Sequence, residues 1–300
     1  MEKSAIIHHT HCPGCNATAI HQVLAVKDYT VSQQSFEVWH CDACTLRFTQ
    51  DVPAEDAIGQ YYQSENYISH TNTSKGLVNR LYHIVRNYTL GSKKRLVQAF
   101  TQKTTGTLLD VGAGVGAFAG FMRQQGWQVT GLEPDAETRK RALEQHRITL
   151  QDTSDLFKLP AGHFDAITLW HVLEHVHRLH ACLDQLKTLL KPGGVLLVAV
   201  PNYTAADATF YASHWAAYDV PRHLYHFSPA SMRVLLQQHG LTVKAIKPMW
   251  FDSFYVSLLS EKYKTGKASV VKGFFRGFVS NGKALRNKEQ CSSLIYVITK

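Results

Sequence analysis

Apolar runs of strand length alternate with helical segments through the second half of the chain. Segments 135–146 and 178–190 predict helices, and the run 195–200 is wholly apolar, as in parallel strands buried on both faces. The predicted strands are, in order, 108–110, 128–133, 148–150, 164–170, 195–200, 242–249 and 294–298. This alternation of strands and helices predicts an α/β fold.

Two cysteine pairs precede this alternation. Each pair has the spacing C-x-x-C, which lets two thiolates approach one ion from a tight turn, and the interval between the pairs accommodates a hairpin. The four residues are Cys12, Cys15, Cys41 and Cys44. The spacing predicts a zinc ribbon over residues 1–50, with a structural zinc ion held by all four thiolates. A redox-active dithiol is the alternative, and the presence of two such pairs argues against it.

The composition is that of an ordinary globular protein, with 45% hydrophobic and 18% charged residues. The formal net charge of +9 favours acidic partners such as nucleic acid or an anionic membrane surface, or else reflects a solvated basic face. Neither a signal-peptide pattern nor an apolar stretch of membrane-spanning length occurs, so a cytoplasmic protein is expected. In that compartment paired cysteines are metal ligands more often than disulfides.

The run 108–118 combines a strand, three glycines at alternate positions and the start of a helical pattern. The glycines are Gly112, Gly114 and Gly116. Glycine is needed where the backbone takes positive φ or a ligand touches it, so this turn predicts a nucleotide site. Asp110 precedes the glycines and would repel the diphosphate of a dinucleotide. It suits a ligand with a cationic end, such as S-adenosylmethionine, whose ribose hydroxyls Glu133 could bind at the end of the next strand.

At these residues the sequence resembles the class I S-adenosylmethionine-dependent methyltransferases, over about residues 106–300. The resemblance implies a seven-stranded Rossmann-like sheet with helices on both faces. The cofactor-binding residues that it implies at the glycine turn and the next strand are Asp110, Gly112, Ala113, Gly114, Gly116, Glu133 and Pro134. It further implies that Asp155 bonds the adenine amino group, with the Leu156 backbone at the ring, and Asp152 is the alternative to Asp155.

A motif with the pattern H-x-x-E-H, residues 171–175, directly follows the predicted strand 164–170. Zinc peptidases share this pattern, but their chemistry needs both histidines on one face of one helix, whereas this motif crosses a strand-to-helix turn. The segment is similar to the fourth-strand motif of small-molecule methyltransferases of the ubiquinone-biosynthesis type. That resemblance implies that Trp170 and His171 border the methionine end of the cofactor and the acceptor.

Histidines are the candidates for the base that an oxygen acceptor needs, because imidazole titrates near neutral pH. His175, oriented by Glu174, is one candidate, and His223 and His226 are two more. Arg222 could hold an anionic acceptor beside His223, which favours His223. Packing in the core is the alternative role for each histidine.

Two insertions in the core are longer than its connections require. Segment 203–228 contains histidines and aromatic residues that fit a substrate pocket. Segment 251–290 has aromatic residues at helical spacing among lysines. This second pattern predicts either a pair of lid helices or a basic amphipathic surface that meets an anionic membrane or holds an apolar substrate.

The chain therefore divides into a zinc ribbon over 1–50, a helical linker over 51–105 and a methyltransferase domain over 106–300. In many methyltransferases the segment before the core folds over the cofactor. The candidates to line such a lid here are Tyr62, Tyr67 and His70. Ordinary packing is the alternative role for these three side chains.

The predicted reaction is methyl transfer from S-adenosylmethionine to a small-molecule or lipid-like acceptor, at oxygen rather than at carbon or nitrogen. One alternative is methylation of ribosomal RNA, because some ribosomal-RNA methyltransferases also join an N-terminal zinc finger to this core and the basic charge fits. The sequence shows no signature of a known RNA-binding module, which argues against it. A second alternative is an inactive module whose ribbon recruits a partner. No oligomeric state follows from the sequence.

Overall fold

The computed structural model describes residues 6–62, 77–267 and 269–300, with the backbone alone for 77–87. The N-terminal part is built from short strands. These are β1 (Ile6–Ile7), β2 (Ile20–Lys27), β3 (Ser35–Cys41), β4 (Arg47–Thr49) and β5 (Val52–Pro53). Ile20 at the start of β2 lies opposite Cys41 at the end of β3, so the antiparallel pairing brings the two cysteine pairs to one end of the hairpin.

A mixed sheet of six strands forms the centre of the remaining chain. The strands after β5 are β6 (Thr107–Val111), β7 (Gln128–Leu132), β8 (Phe164–Trp170), β9 (Leu190–Pro201), β10 (Tyr225–His226), β11 (Thr242–Pro248) and β12 (Ser293–Thr299). All except β10 belong to the central sheet, in the order β11-β12-β9-β8-β6-β7. β6 to β9 are parallel, whereas β12 and β11 run antiparallel to their neighbours.

Helices cover both faces of this sheet. The α-helices are α1 (Leu77–Thr101), α2 (Ala117–Gln124), α3 (Ala136–His146), α4 (Leu179–Leu189), α5 (Ala206–Tyr211), α6 (Pro229–Gln238), α7 (Asp252–Thr265) and α8 (Val270–Arg286). The 3₁₀ helices are Ile58–Tyr62, Thr153–Lys158, Leu173–His175, Ala212–His214, Ala216–Tyr218 and Lys288–Gln290. Because strand residues alternate between faces, Leu108 packs in the apolar cluster of α1 and α2, and Leu109 in that of α4 and α6. The α/β fold class is confirmed.

The predicted strand at 148–150 is absent from the described residues. The edge beyond β7 carries one isolated bridge, between Leu132 and Gln151. Ile148 and Leu150 instead pack against Ala142 of α3 in a small apolar cluster. This segment closes the loop after α3 without forming a ladder, so the sheet has six strands in place of the expected seven.

The N-terminal sheet includes a strand from the second half of the chain. β10 pairs with β4, with Tyr225 opposite Phe48, and completes the order β10-β4-β3-β2. The backbone N–H of Thr49 also donates to the carbonyl of Leu224 at 2.9 Å. Ladder hydrogen bonds therefore join the cysteine-bearing sheet to the segment that precedes α6.

The last insertion forms a hairpin of the helices α7 and α8. The two helices approach closely at Gly273 and Gly277 of α8, where an added Cβ would lie 2.7 Å from the Leu258 Cα and 2.7 Å from the Phe254 Cδ1 of α7. Among the described residues, no helix combines the length and the apolar character needed to span a bilayer.

Candidate functional site

The glycine turn lies where the connections of the sheet reverse direction. β6 pairs with β7 on one side and with β8 on the other, which opens a crevice at the carboxyl ends of the strands. Gly112, Gly114 and Gly116 all have left-handed backbones, with φ of 65°, 56° and 74°. Residues with a Cβ rarely adopt this conformation, so the loop shape depends on the glycines.

The three glycines make room for different neighbours. A Cβ on Gly112 would overlap the side chain of Val172, and a Cβ on Gly116 would lie 2.7 Å from Ile148 Cγ2. A Cβ on Gly114 would meet no heavy atom of the described residues within 4 Å. Gly112 and Gly116 therefore permit close packing around the loop, whereas Gly114 leaves backbone open to a ligand.

Two buried carboxylates line the crevice at the ends of neighbouring strands. Asp110 Oδ1 accepts a hydrogen bond from Thr168 Oγ1 at 2.7 Å, and burial raises the pKa of Asp110 to about 6. Glu133 Oε2 accepts from the Gly114 N–H at 2.9 Å, and Oε1 accepts from the Asp135 N–H at 3.2 Å. Burial raises the pKa of Glu133 as well. A cationic ligand would favour the ionised form of both groups.

Lys93 of α1 is a site residue that the sequence does not single out. Its Nζ lies 4.1 Å from the centre of the Trp170 ring and 5.8 Å from that of Phe118. Burial lowers the pKa of Lys93 to about 8, against the charges of Asp110 and Asp252. The Trp170 Nε1 is buried and has no hydrogen-bond partner in the part of the chain that the structure describes. The Lys93 ammonium and the Trp170 N–H thus lie together on the side of the crevice that carries Asp110.

The predicted adenine contacts lie in the 3₁₀ turn after α3. Asp152 accepts from the Ser154 N–H and from Arg139 Nη1, both at 2.9 Å, and so holds the start of this turn. Asp155 pairs with the exposed Lys158 at 2.8 Å, an interaction that a ligand amino group could replace. Leu156 is buried. The carbonyl of Pro134 accepts from the same Arg139 at 2.7 Å, and the Ala113 N–H donates to Leu132 at 2.8 Å. Because Asp152 already accepts two hydrogen bonds within the protein, whereas Asp155 contacts an exposed lysine, Asp155 is favoured over Asp152 as the ligand-binding acid.

His171 joins the end of β8 to the start of α7. Its Nε2 lies 2.9 Å from Asp252 Oδ2, and its Nδ1 lies 3.3 Å from Glu174 Oε1. Burial would lower the pKa of His171, but hydrogen bonds to Asp252 and Glu174 outweigh it and raise the pKa to about 10. His171 is therefore an imidazolium at neutral pH, held between two carboxylates.

Glu174, His175 and His223 form a cluster next to this ion pair. A carboxylate oxygen of Glu174 and a ring nitrogen of each histidine lie within 4.8 Å of one another, a spacing that could also hold a metal ion. His175 Nδ1 lies 3.0 Å from the Arg222 carbonyl, which only accepts, so Nδ1 carries the proton and Nε2 the lone pair. Burial lowers the pKa of His175 to about 4. Within the described residues, the buried Glu174 Oε2 has no hydrogen-bond partner.

The structure contradicts the role expected for Arg222. Its side chain is 1% exposed, and its guanidinium is surrounded by acceptors. The partners are the carboxylates of Asp219 and Asp28, the hydroxyl of Thr30 and the carbonyl of Tyr61. Arg222 cannot reach an acceptor, so the reason for favouring His223 is lost. The Nδ1 of His223 is itself 2.8 Å from the Ala217 carbonyl.

His226 is enclosed in the N-terminal sheet as part of β10. Its Nε2 lies 3.1 Å from Thr49 Oγ1, and burial lowers its pKa well below the ordinary value. It is therefore packed and does not open onto the crevice. Of the three predicted lid residues, Tyr62 places its Oη 3.0 Å from His175 Nδ1, whereas Tyr67 and His70 lie outside the described residues.

The four paired cysteines converge at one end of the N-terminal sheet, with all sulfur atoms within 4.8 Å of one another. The Cys12–Cys44 and Cys15–Cys41 sulfur distances are 3.6 and 3.5 Å. A tetrahedral zinc ion with Zn–S bonds of about 2.3 Å separates its sulfur ligands by about 3.8 Å. The geometry therefore suits a metal ion.

Taken together, the crevice suits S-adenosylmethionine better than a dinucleotide. Asp110 and Glu133 place two carboxylates where a diphosphate would have to lie, and both are buried. Gly114 leaves open backbone between them, and Lys93 provides one cation for a ligand carboxylate. An ammonium, a carboxylate and a ribose each find a group of complementary chemistry.

Comparison with known proteins identifies the family to which the chain belongs. Residues 83–246 match the family described as a methyltransferase domain, which is more than half of the chain. A ubiquinone biosynthesis O-methyltransferase from Xanthomonas axonopodis pv. citri is 30% identical over 169 residues, covering 52% of this chain and 71% of that protein. A protein of the same name from Psychrobacter cryohalolentis is 35% identical over 125 residues, covering 37% of this chain and 49% of that protein.

A solved structure agrees in fold. A SAM dependent methyltransferase from Archaeoglobus fulgidus superposes with a TM-score of 0.50 at 16% sequence identity, covering 72% of this chain and 94% of that chain. At this identity the similarity concerns the fold alone. It matches the α/β sheet with helices on both faces that the strand and helix pattern predicts.

Proposed function

The chain belongs to the class I S-adenosylmethionine-dependent methyltransferases, and on that premise we propose that it methylates an oxygen of a small-molecule or lipid-like acceptor. The observation that carries the oxygen assignment is the proximity of two proton acceptors among the described residues, a ring nitrogen of the neutral His175 and a carboxylate oxygen of Glu174 within 4.8 Å, with Glu174 Oε2 lacking a hydrogen-bond partner. A hydroxyl must lose its proton as it attacks the methyl group, and these two acceptors can receive it. The O-methyltransferase names of the relatives support the same reaction.

The residues on the cofactor side are matched to the groups of S-adenosylmethionine whose charge or hydrogen bonding they complement. S-adenosylmethionine, when bound, supplies an electrophilic methyl group on a sulfonium. Glu133 would accept from the ribose hydroxyls while it keeps the Gly114 loop in place, and Asp110 would face the ammonium. Lys93 would pair with the carboxylate of the methionine end, close to Trp170. Asp155, with Leu156 beside it, would hold the adenine.

On the acceptor side, His175 is the proposed base. Its Nδ1 proton is fixed by the Arg222 carbonyl, so Nε2 carries the lone pair. A pKa of about 4 keeps this nitrogen unprotonated at neutral pH, before the acceptor binds. Holding the nucleophile and the methyl group in line can remove roughly 7–11 kcal/mol of barrier. A positioned base adds about two to four powers of ten in rate.

For the N-terminal sheet we propose a structural zinc ion bound by all four paired cysteines. The sulfur spacing supports it, and a site with four protein ligands has no open position for substrate. Structural zinc contributes folding free energy, on the order of 10 kcal/mol or more in small domains. Catalysis is therefore assigned to the crevice and not to this metal.

The test uses S-adenosylmethionine with an isotope-labelled methyl group, incubated with the full chain and fractionated cell extract. We expect label in a small organic-extractable product, with the magnetic-resonance shift of a methyl group on oxygen. His175→Gln should slow single-turnover transfer to that product about a hundredfold or more, with cofactor affinity unchanged. The matched control is His163→Gln, an exposed histidine.

Label recovered only in RNA would exclude a small-molecule acceptor, and a shift typical of carbon or nitrogen would exclude oxygen. If His175→Gln transfers at the wild-type rate, no base acts at this position. Cofactor binding without label transfer to any fraction would leave the inactive module as the correct description.

A further inference from the structure

Helix α8 exposes a continuous set of large apolar side chains. Six of them are 60–80% exposed to solvent. They are Val270, Val271, Phe274, Phe275, Phe278 and Leu285. Single exposed apolar residues are normal, but a contiguous group of this size on one helix marks a surface that meets an apolar partner.

The residues of α8 fall into three sectors around the helix at about 100° per residue. The sector that faces α7 consists of small buried residues, namely Gly273, Gly277, Ser280 and Ala284. The opposite sectors are the exposed apolar set and a basic row of Lys272, Arg276, Lys283 and Arg286. The small residues make the close backbone contact with α7, and of the apolar sector Phe274 also stacks on Phe254. All six apolar side chains nevertheless stay at least 60% exposed, so packing within the described residues does not explain the apolar sector.

The excess positive charge of the chain is concentrated in α8 and the residues on either side of it. Residues 262–288 contain eight Lys and Arg residues and no Asp or Glu. The formal net charge of the whole chain is +9, so nearly all of it arises in these 27 residues. An apolar stripe bordered by cations and free of acids is complementary to an anionic lipid surface, where each cation near the headgroups adds attraction.

We propose that α8 docks the protein on an anionic lipid bilayer. Its axis would lie in the plane of the interface, with the phenylalanine and valine side chains among the upper acyl chains. Lys272 and Lys283, on the adjoining sector, would extend their long side chains to the headgroup phosphates. The docking surface is defined as the apolar and basic sectors of α8.

A bilayer fits this surface better than a protein copy or a nucleic acid does. A second copy related by a two-fold axis would bring two copies of α8, which is basic and free of acids, face to face. A nucleic acid would satisfy the cations, and its bases could stack on the phenylalanines, but it would leave Val270, Val271 and Leu285 exposed to water. Only a surface with both negative charge and hydrocarbon satisfies both sectors.

The docking surface is connected to the crevice by short contacts. Phe274 stacks on Phe254 of α7, with ring centres 4.6 Å apart. Two residues earlier, Asp252 at the start of α7 binds His171, which follows β8. A docked α8 would therefore hold the rim of the crevice near the membrane surface. The inference does not rest on the proposed methyl transfer, because docking is measured without cofactor or turnover.

The test is co-sedimentation of the full chain with large vesicles of mixed phosphatidylglycerol and phosphatidylcholine, compared with pure phosphatidylcholine. We expect binding to the anionic vesicles alone, weakened by salt. Combined Val271→Ser, Phe275→Ser and Phe278→Ser should reduce the partition constant about tenfold or more. Lys272→Gln and Lys283→Gln should each reduce it about fivefold.

Matched controls come from exposed residues outside the hairpin. Leu143→Ser and Lys140→Gln on α3 should bind vesicles as the wild type does. An unchanged melting temperature and cofactor affinity would show that the α8 variants fold.

Four results would overturn the proposal. One is no vesicle binding by the wild type, and another is binding that the α8 substitutions leave unchanged. The third is preferential capture of a short RNA that the serine substitutions do not affect, which would show that the basic row alone recognises nucleic acid. A concentration-dependent dimer that the serine substitutions dissociate, with no affinity for vesicles, would also exclude the bilayer as the occupant.

Discussion

One carboxylate, Glu133, both orders the glycine turn and faces the crevice. Its two oxygens accept backbone hydrogen bonds from Gly114 and Asp135, and burial raises its pKa. We expect Glu133→Ala to weaken S-adenosylmethionine binding by about 1.5–3 kcal/mol, the range for hydrogen bonds to a charged group. Titration calorimetry at neutral pH measures the change.

Two further variants separate ligand contact from loop order. Glu144→Ala removes an exposed acid of α3 and should leave the affinity unchanged. Asp135→Ala removes the cap that accepts from Thr138 and should lower helix stability with little effect on the ligand. Equal affinity of the wild type and Glu133→Ala would disprove the ribose assignment.

At the scale of single residues, local chemistry was predictable and long-range partners were not. The glycine spacing and Asp110 indicated a site without diphosphate, because these depend on a few adjacent residues. Lys93 has two basic neighbours in sequence, and only the fold shows that its side chain turns toward Trp170. Arg222 resembled a substrate anchor because its partner Asp28 lies 194 positions earlier in the chain.

At the scale of the secondary-structure elements, an ion pair between His171 and Asp252 joins the end of β8 to α7. Hydrogen bonds to Asp252 and Glu174 together hold the pKa of His171 near 10. The charged His171 therefore stabilises the fold fully below its unfolded pKa of about 6.5, and this stabilisation is lost as the pH rises through 10. About a third of the His171 side chain is exposed, which reduces the pair through solvent screening. We expect Asp252→Asn to lower the free energy of unfolding by about 1–2 kcal/mol at pH 7.

Urea unfolding at pH 7 and above pH 10 tests this, because the gap between wild type and variant should shrink once His171 is neutral in both. Asp51→Asn, which breaks the exposed pair with His8, is the control and should change stability by less than about 1 kcal/mol. A gap of constant size across the pH range would mean that the loss comes from packing and not from charge.

Elements with a strong apolar period were predictable from the sequence, whereas short elements were not. β9 was predicted because every position from Val195 to Pro201 is buried, which requires a continuous apolar run. The segment 148–150 has apolar residues on either side of Thr149 and also looks like a strand, but its apolar side chains pack against α3 and the segment forms no ladder. β10 has only two residues, and its pairing with β4 depends on the fold of the whole chain.

In the whole molecule, the cysteine-bearing sheet and the central sheet are not separable by a single cut. In sequence β10 lies between β9 and β11 of the central sheet, but it belongs to the N-terminal sheet. Arg222, three residues before β10, is buried against Asp28 of the N-terminal part. Tyr203 Oη donates to the Thr45 carbonyl at 2.6 Å, directly after the second cysteine pair. A change at the cysteines should therefore affect the crevice side of the molecule.

Removal of the proposed zinc ion should consequently destabilise the full chain. We expect one zinc per chain by elemental analysis, and a single unfolding transition whose midpoint falls by more than about 10 °C on chelation, because β10 and the Arg222 ion pair lose their support. Cys41→Ser should act like chelation. Cys182→Ser, at a buried cysteine outside the cluster, is the control and should keep the full zinc content. A zinc-free chain with an unchanged transition would show that the four thiols need no metal, and two separate transitions would show that the sheets unfold independently.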